Sequence, residues 1–182
     1  GTILIDGQPI KIKNPRQAMR HGIAYLPEDR GTQGLIRPMD LRSNISLTVL
    51  DSLSRATFIN RRKETKLTVE TIQQLNIRAY GPFQLVSKLS GGNQQKVVVG
   101  KWLATEPRIL IMDEPTRGID VGAKAEIHRL MSELAQRGLA ILMISSELPE
   151  ILGMSDRILV MREGHLVAEF SREEATQENI GM

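Results

Sequence analysis

Two adjacent carboxylates stand where an α/β sequence can carry chemistry. Asp113 and Glu114 directly follow the apolar run 109–112, and a run of this length and composition predicts a buried strand. Ligands bind at the carboxyl ends of such strands, where one carboxylate can hold Mg²⁺ and a second can orient or deprotonate a water. An ordinary strand end with exposed acids has the same pattern, so the pair alone does not decide between the two.

A second candidate lies upstream of the carboxylates. Ser90, Gly91 and Gly92 open a predicted helix that runs to about residue 105. The first amides of a helix have no partner within it, and the helix dipole favours an anion at that end. Two glycines also let a phosphate approach the backbone closely. The alternative is a plain helix cap in which the glycines serve only the turn.

The sequence contains no phosphate-binding loop of the form G-x-x-x-x-G-K-[ST]. Its only Gly-Lys pair, Gly100-Lys101, is followed by Trp102, and Gln95 stands where the first glycine of the motif would be. The pair also falls inside the predicted helix. We therefore expect that the chain does not cradle the phosphates of a nucleotide by itself.

The first half of the chain predicts a hairpin followed by a helical insert. Turn and capping residues predict a hairpin over residues 2–12, a helix over 15–21, a strand over 23–26 and a loop over 27–38. Apolar residues at helical spacing then predict two helices between residues 40 and 76. We interpret these two helices as an inserted subdomain.

The second half alternates between strand and helix patterns. Strands are predicted at 109–112 and 140–145, helices at 121–137 and near 149–154, and a hairpin over 157–170. Short apolar strands that alternate with amphipathic helices favour a parallel sheet covered on both faces. The predicted fold class is therefore α/β, a parallel sheet with an antiparallel β hairpin and an inserted helical subdomain.

Composition excludes several functional classes. The 182 residues include no cysteine, only 3% aromatic residues, and a net charge of +3 from interspersed acids and bases. Disulfides and cysteine metal sites are therefore impossible, and a nucleic-acid surface is not indicated. No apolar run approaches the ~20 residues that span a bilayer. His21, His128 and His165 are each expected to occupy surface positions.

In this order and at this spacing, the two candidates resemble the LSGGQ signature and the Walker B and D-loop segments of the ATP-binding-cassette (ABC) ATPases. The signature corresponds to residues 89–95, and the Walker B and D-loop segments to residues 109–120. The sequences LPEDR at 26–30 and SSELPE at 145–150 narrow the resemblance to one subgroup. That subgroup is the second ATP-binding domain of tandem-cassette importers of ribose, galactose, xylose and arabinose.

The resemblance implies a single P-loop NTPase-like domain over residues 1–182. Residues 1–39 would form the β hairpin and a Q-loop-like region, 40–100 the helical subdomain that ends in the signature, and 101–182 the catalytic α/β core. In the family the P-loop comes before the first hairpin. It would therefore fall upstream of Gly1, and we expect a domain truncated at its N terminus.

The resemblance also implies ATP and Mg²⁺ as cofactors and a role for each site residue. Asp113 would hold the metal, Glu114 would be the catalytic residue, and the signature would meet the γ-phosphate of ATP held by another cassette. Glu28 replaces the family's usual glutamine and Ser146 its switch histidine. The residues implied to contact nucleotide are Ser90, Gly91, Gly92, Gln94, Asp113, Glu28, Asp120 and Ser146.

The implied partners are a nucleotide-binding domain with an intact P-loop, transmembrane permease subunits and, indirectly, a periplasmic sugar-binding protein. The implied location is peripheral, on the cytoplasmic side of the bacterial inner membrane. ATP hydrolysis would drive sugar uptake, and the isolated chain is expected to be inactive. Two alternatives remain open: a non-catalytic interaction fragment and an ABC protein that does not serve transport.

Overall fold

The computed structural model describes residues 1–55 and 57–180. It begins with the predicted hairpin, strands β1 (Ile3–Ile5) and β2 (Gln8–Ile10), paired antiparallel. Helix α1 (Pro15–Arg20) follows, with Asn14 as its cap, and leads into strand β3 (Ile23–Leu26). These elements confirm the sequence predictions to within one or two residues.

The helical insert is more broken than predicted. The first of the two expected helices is divided into α2 (Leu41–Ser46) and α3 (Leu50–Leu53), separated by a 3₁₀ turn. The hydroxyl of Thr48 in that turn donates to the carbonyl of Lys101, 2.7 Å away, and Val49 has a non-helical φ of −123°. A tertiary hydrogen bond therefore ends the helix where periodicity alone would continue it.

A short hairpin that the sequence did not predict follows α3. Strands β4 (Ser54–Arg55) and β5 (Phe58–Ile59) pair antiparallel before the long helix α4 (Arg61–Gln74). Strands of two residues are too short to produce a readable alternation of apolar and polar residues. Helix α4 itself confirms the second predicted helix of the insert.

The second half follows the predicted alternation. Its elements are α5 (Gly91–Leu103), β6 (Ile109–Asp113), α6 (Val121–Gln136), β7 (Ala140–Ile144), α7 (Leu148–Met154), β8 (Arg157–Arg162), β9 (His165–Ser171) and α8 (Gln177–Ile180). Strands β8 and β9 form the closing antiparallel hairpin. Over the described residues 1–55 and 57–180, no helix is long and apolar enough to cross a membrane.

Strands β3, β6 and β7 form a parallel sheet in that order. One face of the sheet is buried, with Leu26 paired to Met112 in the core. The opposite face exposes Tyr25, Leu142 and Ile144, each more than 40% accessible. The expectation that both faces are covered is therefore wrong for the described residues, because these side chains remain exposed.

Helix α5 lies at the centre of the core. Its residues Val97, Val98 and Val99 are fully buried, as are Leu41 of α2 and Leu110 of β6. The helix packs against α2 on one side and against α6 and β3 on others. The start of α5, which carries the Ser-Gly-Gly sequence, is thus fixed by the most deeply buried helix of the molecule.

Candidate functional site

The start of α5 leaves its backbone donors available. Ser90 is the N-cap residue, yet among the described residues its side chain makes no capping bond to the helix. Its Oγ instead accepts from Asn93 Nδ2 at 2.8 Å. The first intrahelical bond runs from the Gln94 N–H to the Ser90 carbonyl. The amides of Gly91, Gly92 and Asn93 come before this bond, and the first amides of a helix have no acceptor within it.

Both glycines of this turn are required by close packing. A Cβ on Gly92 would lie 2.5 Å from the Cβ of Ala123 on α6. A Cβ on Gly91 would lie 2.9 Å from Nη2 of Arg30 and 3.3 Å from the carbonyl of Gly118. The missing side chains let α5 approach α6 and the segment after β6, which brings two of the predicted motifs into contact.

Gln94 holds the turn before the helix. Its Nε2 donates to the carbonyls of Val86 and Leu89 at 3.2 and 3.1 Å. The side-chain donors are therefore directed at the backbone of the chain itself. Gln94 therefore holds in place the backbone that leads to Ser90.

Asp113 lies at the end of β6 and receives a hydrogen bond that the sequence analysis missed. The hydroxyl of Tyr25 on β3 donates to Asp113 Oδ2 at 2.9 Å. This hydrogen bond, together with partial burial and the carboxylate charge, raises the pKa of Tyr25. Tyr25 pairs with Ile111 in the strand register, so its side chain shares a sheet face with Asp113.

Glu114 and Ser146 contact each other through the backbone of Ser146. The N–H of Ser146 donates to Glu114 Oε1 at 2.8 Å. The N–H of Glu114 donates in turn to the carbonyl of Ile144 at 2.8 Å. Glu114 adopts a left-handed conformation with φ of 47°, which is uncommon for a residue with a Cβ. Two hydrogen bonds to the end of β7 hold it there.

Asp120 acts in this structure as the cap of α6. Its Oδ1 accepts from the N–H of Ala123 at 2.9 Å. Such a cap contributes about 1 kcal/mol to helix stability. The predicted D-loop residue therefore also fixes the start of α6, against which Gly92 packs.

The segment predicted as a loop over residues 27–38 contains a π-helical turn, Arg30–Gly34. Asp29 caps it and accepts from the N–H groups of Gly31 and Thr32, while the Thr32 hydroxyl donates to its second oxygen. These bonds, led by that from the Thr32 hydroxyl, lower the pKa of Asp29. The prediction of an irregular loop is wrong here because a local side-chain cap organises the backbone.

Arg30 joins this turn to the segment after β6. Its guanidinium donates to the carbonyls of Arg117 and Gly118 at 2.8 and 2.9 Å. Burial lowers the pKa of Arg30 from its ordinary value. Glu28, two residues earlier, forms an ion pair with Arg117. The Glu28 carboxylate is thus directed to the D-loop segment.

These contacts surround an open polar cavity of about 510 Å³. Its lining residues are Glu28, Asp29, Arg30, Gly31, Arg37, Gln94, Arg117 and Gly118. The structure therefore gathers the Q-loop-like segment, the signature and the D-loop around one depression. Asp113, Glu114 and Ser146 belong to a separate set of contacts at the ends of β6 and β7.

Sequence reasoning missed Tyr25, Arg30 and His128. The pairing of Tyr25 depends on strand register, and that of Arg30 on long-range contact, so neither has a local sequence signal. His128, expected at a surface position, is partly exposed, and its Nε2 lies 2.7 Å from Oε1 of the buried Glu150. The sequence alone does not show that His128 lies on the side of α6 that faces α7.

The fold is that of an ATP-binding cassette. A nucleotide-free ATP-binding cassette from an ABC transporter superposes with a TM-score of 0.79 at 23% identity, covering 94% of this chain and 69% of that one. The ADP conformation of another such cassette gives a TM-score of 0.75 at 25% identity, covering 95% and 70%.

The sequence model of the ABC transporter family matches residues 1–117, and the chain belongs to that family. It is 54% identical over 180 residues to the ribose import ATP-binding protein RbsA of Geobacillus kaustophilus. It is 53% identical over 180 residues to the xylose import ATP-binding protein XylG of Thermoanaerobacter pseudethanolicus. Each comparison covers 99% of this chain but only 36% of the relative, so the chain spans about a third of their length.

Proposed function

We propose that this chain is part of the ATP-binding subunit of a bacterial monosaccharide importer and contributes its signature, Walker B and D-loop to ATP hydrolysis that drives sugar uptake. Relatives at 54% and 53% identity are named for ribose and xylose import. The family match and the cassette fold support the nucleotide-binding part of the proposal.

One observation carries the proposal: α5 begins at a Ser-Gly-Gly turn whose N-cap side chain makes no bond to the first amides of the helix. Ser90, Gly91 and Gly92 form a rigid anion-accepting turn, and Gln94 holds its approach. Such a turn suits a γ-phosphate presented by a partner cassette with an intact P-loop.

The carboxylates fit a magnesium ion that arrives with phosphates. Among residues 1–55 and 57–180, no cluster of three or more His, Asp or Glu side chains could hold a metal alone. A single hard carboxylate is nonetheless a usual protein ligand for Mg²⁺ when phosphates and water complete the octahedron. Asp113 is that ligand in our proposal, and the ion would neutralise phosphate charge.

Glu114 is proposed as the residue that orients or deprotonates the attacking water. The Ser146 N–H holds one of its oxygens, at 2.8 Å. Glu28 and Asp120 are proposed to act through the segment after β6. Glu28 pairs with Arg117, and Asp120 caps α6.

The remaining parts of the proposal concern assembly. We propose a single cassette domain with a hairpin and Q-loop-like region at 1–39, a helical subdomain at 40–100 and a catalytic core at 101–182. Its partners would be a P-loop-bearing cassette, two permease subunits and, through them, a periplasmic sugar-binding protein. Its place would be the cytoplasmic face of the inner membrane.

Nucleotide binding with and without a partner cassette tests whether this chain needs the P-loop of another cassette to bind ATP. The pure 182-residue chain should bind ATP weakly and release negligible phosphate. Adding a cassette that has an intact P-loop should create tight, Mg²⁺-dependent ATP binding. Steady-state phosphate release by the chain alone at the rate of an intact transporter would contradict the proposal, and no gain on adding the cassette would favour an interaction fragment.

Substitution of Ser90 tests the signature directly. Ser90→Arg in the full importer places a bulky side chain at the first amides of α5 and should abolish sugar uptake. Ser87→Arg, just before the signature, is the matched control and should leave uptake near normal. Unimpaired uptake in the Ser90→Arg importer would count against the assignment.

A further inference from the structure

A carboxylate is buried beneath the segment that follows β7. Glu150 on α7 is only 5% exposed. Its Oε2 accepts from the Ser145 hydroxyl at 2.6 Å, and its Oε1 lies 2.7 Å from His128 Nε2. A buried carboxylate is costly unless hydrogen bonds satisfy it. Here both oxygens are satisfied, one from the segment after β7 and one from α6.

The Ser145 hydroxyl links Glu150 to the backbone of the segment after β7. Its Oγ, besides donating to Glu150, accepts from the N–H of Glu147 at 3.0 Å. A serine that accepts from the amide two residues ahead fixes a local turn. The peptide inside that turn belongs to Ser146, whose N–H donates to Glu114 Oε1. The buried carboxylate of Glu150 is thus connected to Glu114 by two hydrogen bonds, one from the Ser145 hydroxyl and one from the Ser146 N–H, with the short turn between them.

The turn is also held from the α6 side. Lys124 Nζ contacts both oxygens of Glu147 at 2.5 and 2.6 Å. His128 lies one helical turn further along α6 and reaches Glu150. Two residues of α6, four apart, therefore hold both ends of the segment 147–150. Of the two carboxylates held in this way, that of Glu147 is half exposed, whereas that of Glu150 is buried.

We propose that Glu150 is a positioning residue that sets the carboxylate of Glu114 through Ser145 and the peptide N–H of Ser146. The contact with Glu114 uses a backbone donor, which any residue except proline at position 146 would supply. The side chain that matters is then that of Ser145, not that of Ser146. The consequence for hydrolysis rests on the proposed function, whereas the positioning itself is a property of the chain alone.

Hydrogen exchange of the Ser146 amide in the 182-residue chain measures the positioning. Glu114→Ala removes the acceptor and defines full loss of protection. Glu150→Ala should speed exchange of this amide by about tenfold, since the bond it supports is charge-assisted. Glu150→Gln can still accept from Ser145 and should retain most of the protection.

Two further variants separate positioning from general destabilisation. Ser145→Ala keeps the contact between His128 and Glu150, yet should speed Ser146 exchange by about the same tenfold. Ser146→Ala should change the exchange of its own amide less than about twofold, because the donor is the backbone. Unchanged exchange in Ser145→Ala, in a chain of native stability, overturns the proposal even where Glu150→Ala fails to fold.

Glu64 provides the matched control. It is 2% exposed and accepts from the Ser46 hydroxyl at 2.8 Å, but it lies in the helical insert. Glu64→Ala should lower global stability as much as Glu150→Ala or more while leaving Ser146 protection unaltered relative to the global value. Equal loss of Ser146 protection in both variants would mean that Glu150 acts only through stability.

Activity in the assembled importer gives an independent readout. Glu150→Ala should lower kcat for ATP by about tenfold with KM nearly unchanged, and Glu150→Gln should restore most of it. If the wild-type assembly hydrolyses no ATP, the proposed function fails while the exchange result still stands. If hydrolysis is normal in Glu150→Ala despite faster exchange, the positioning has no catalytic role.

Discussion

The start of α5 and the carboxylates after β6 differ in how their functional groups are used within the chain. At α5 the Ser90 side chain makes no helix cap among the described residues, and the amides of Gly91, Gly92 and Asn93 come before the first intrahelical hydrogen bond. After β6 both carboxylates already accept protein hydrogen bonds: Asp113 from Tyr25, and Glu114 from Ser146. The first region is ready for a ligand, whereas the second must exchange or share partners to gain one.

The two regions also differ in the contacts that hold them in place. Helix α5 is buried along its middle, and its glycines pack against α6 and the segment after β6. The carboxylates lie at the end of a sheet with an apolar face that the described chain leaves open at Tyr25 and Ile144. Packing thus fixes the Ser90-Gly91-Gly92 turn, while a few individual hydrogen bonds fix the carboxylates. Substitutions should therefore act through packing in one region and through polar contacts in the other.

The largest loss of stability is expected from Gly92→Ala. The new Cβ would lie 2.5 Å from the Cβ of Ala123, and overpacking of this kind costs about 3 kcal/mol. Urea unfolding measures the loss. Gly153→Ala, in α7 with no atom within 4 Å of the new Cβ, is the control and should be neutral or slightly stabilising. Equal stability of the two variants would remove packing as the distinction between the regions.

A smaller loss of stability is expected from Arg30→Lys. Arg30 donates to two carbonyls of the segment after β6, and lysine cannot reproduce this forked geometry. We expect a loss of about 2 kcal/mol, with faster amide exchange in residues 117–119. Arg37→Lys, in an exposed arginine of the same cavity, should change stability by less than about 0.5 kcal/mol. Similar losses in both would mean that the two carbonyl contacts of Arg30 are not what stabilises this segment.

Much of the fold could be predicted from sequence because capping and periodicity act locally. Asn14 with Pro15 fixed the start of α1, and the run before Asp113 fixed β6. The 3₁₀ turn at Thr48 could not be predicted, because a hydrogen bond to Lys101, distant in sequence, creates it.

The candidate site was predicted in part for the same reason. Ser90, Asp113 and Glu114 stand out by type and by position along the chain. The contacts of Tyr25 and Glu150 depend on strand register and on helix packing, which one sequence does not display. The backbone contact of Ser146 with Glu114 was also invisible, because every residue type carries the same N–H.

A change in the pH dependence of stability is expected from Lys101, which lies in the last turn of α5. Its ammonium is buried and donates to the carbonyl of Gly34, and burial lowers its pKa below the ordinary 10.5. Between the folded pKa and 10.5 the unfolded state binds more protons, so stability should rise with pH across that interval. Below the folded pKa the cost of the buried charge is present in full.

Unfolding measured from pH 7 to pH 10.5 checks this rise. Lys101→Met should remove the part of the pH slope that the buried ammonium causes. Lys88→Met, at an exposed position, is the control and should leave the slope unchanged. A wild-type slope retained in Lys101→Met would show that the ammonium is not the source.

The smallest effect is expected from Tyr25→Phe, which tests how firmly Asp113 is held. The side chain is exposed, so losing its 2.9 Å bond to Asp113 should cost only about 0.5 kcal/mol. Because the freed Oδ2 no longer shares its lone pairs, Mn²⁺ added with ATP and a P-loop partner should bind as tightly as in wild type or more tightly. Asp113→Asn should lose that binding while Tyr25→Phe keeps it. Weaker Mn²⁺ binding in Tyr25→Phe would mean that the tyrosine orients the carboxylate for the metal, and the two regions would then be equally prepared for their ligands.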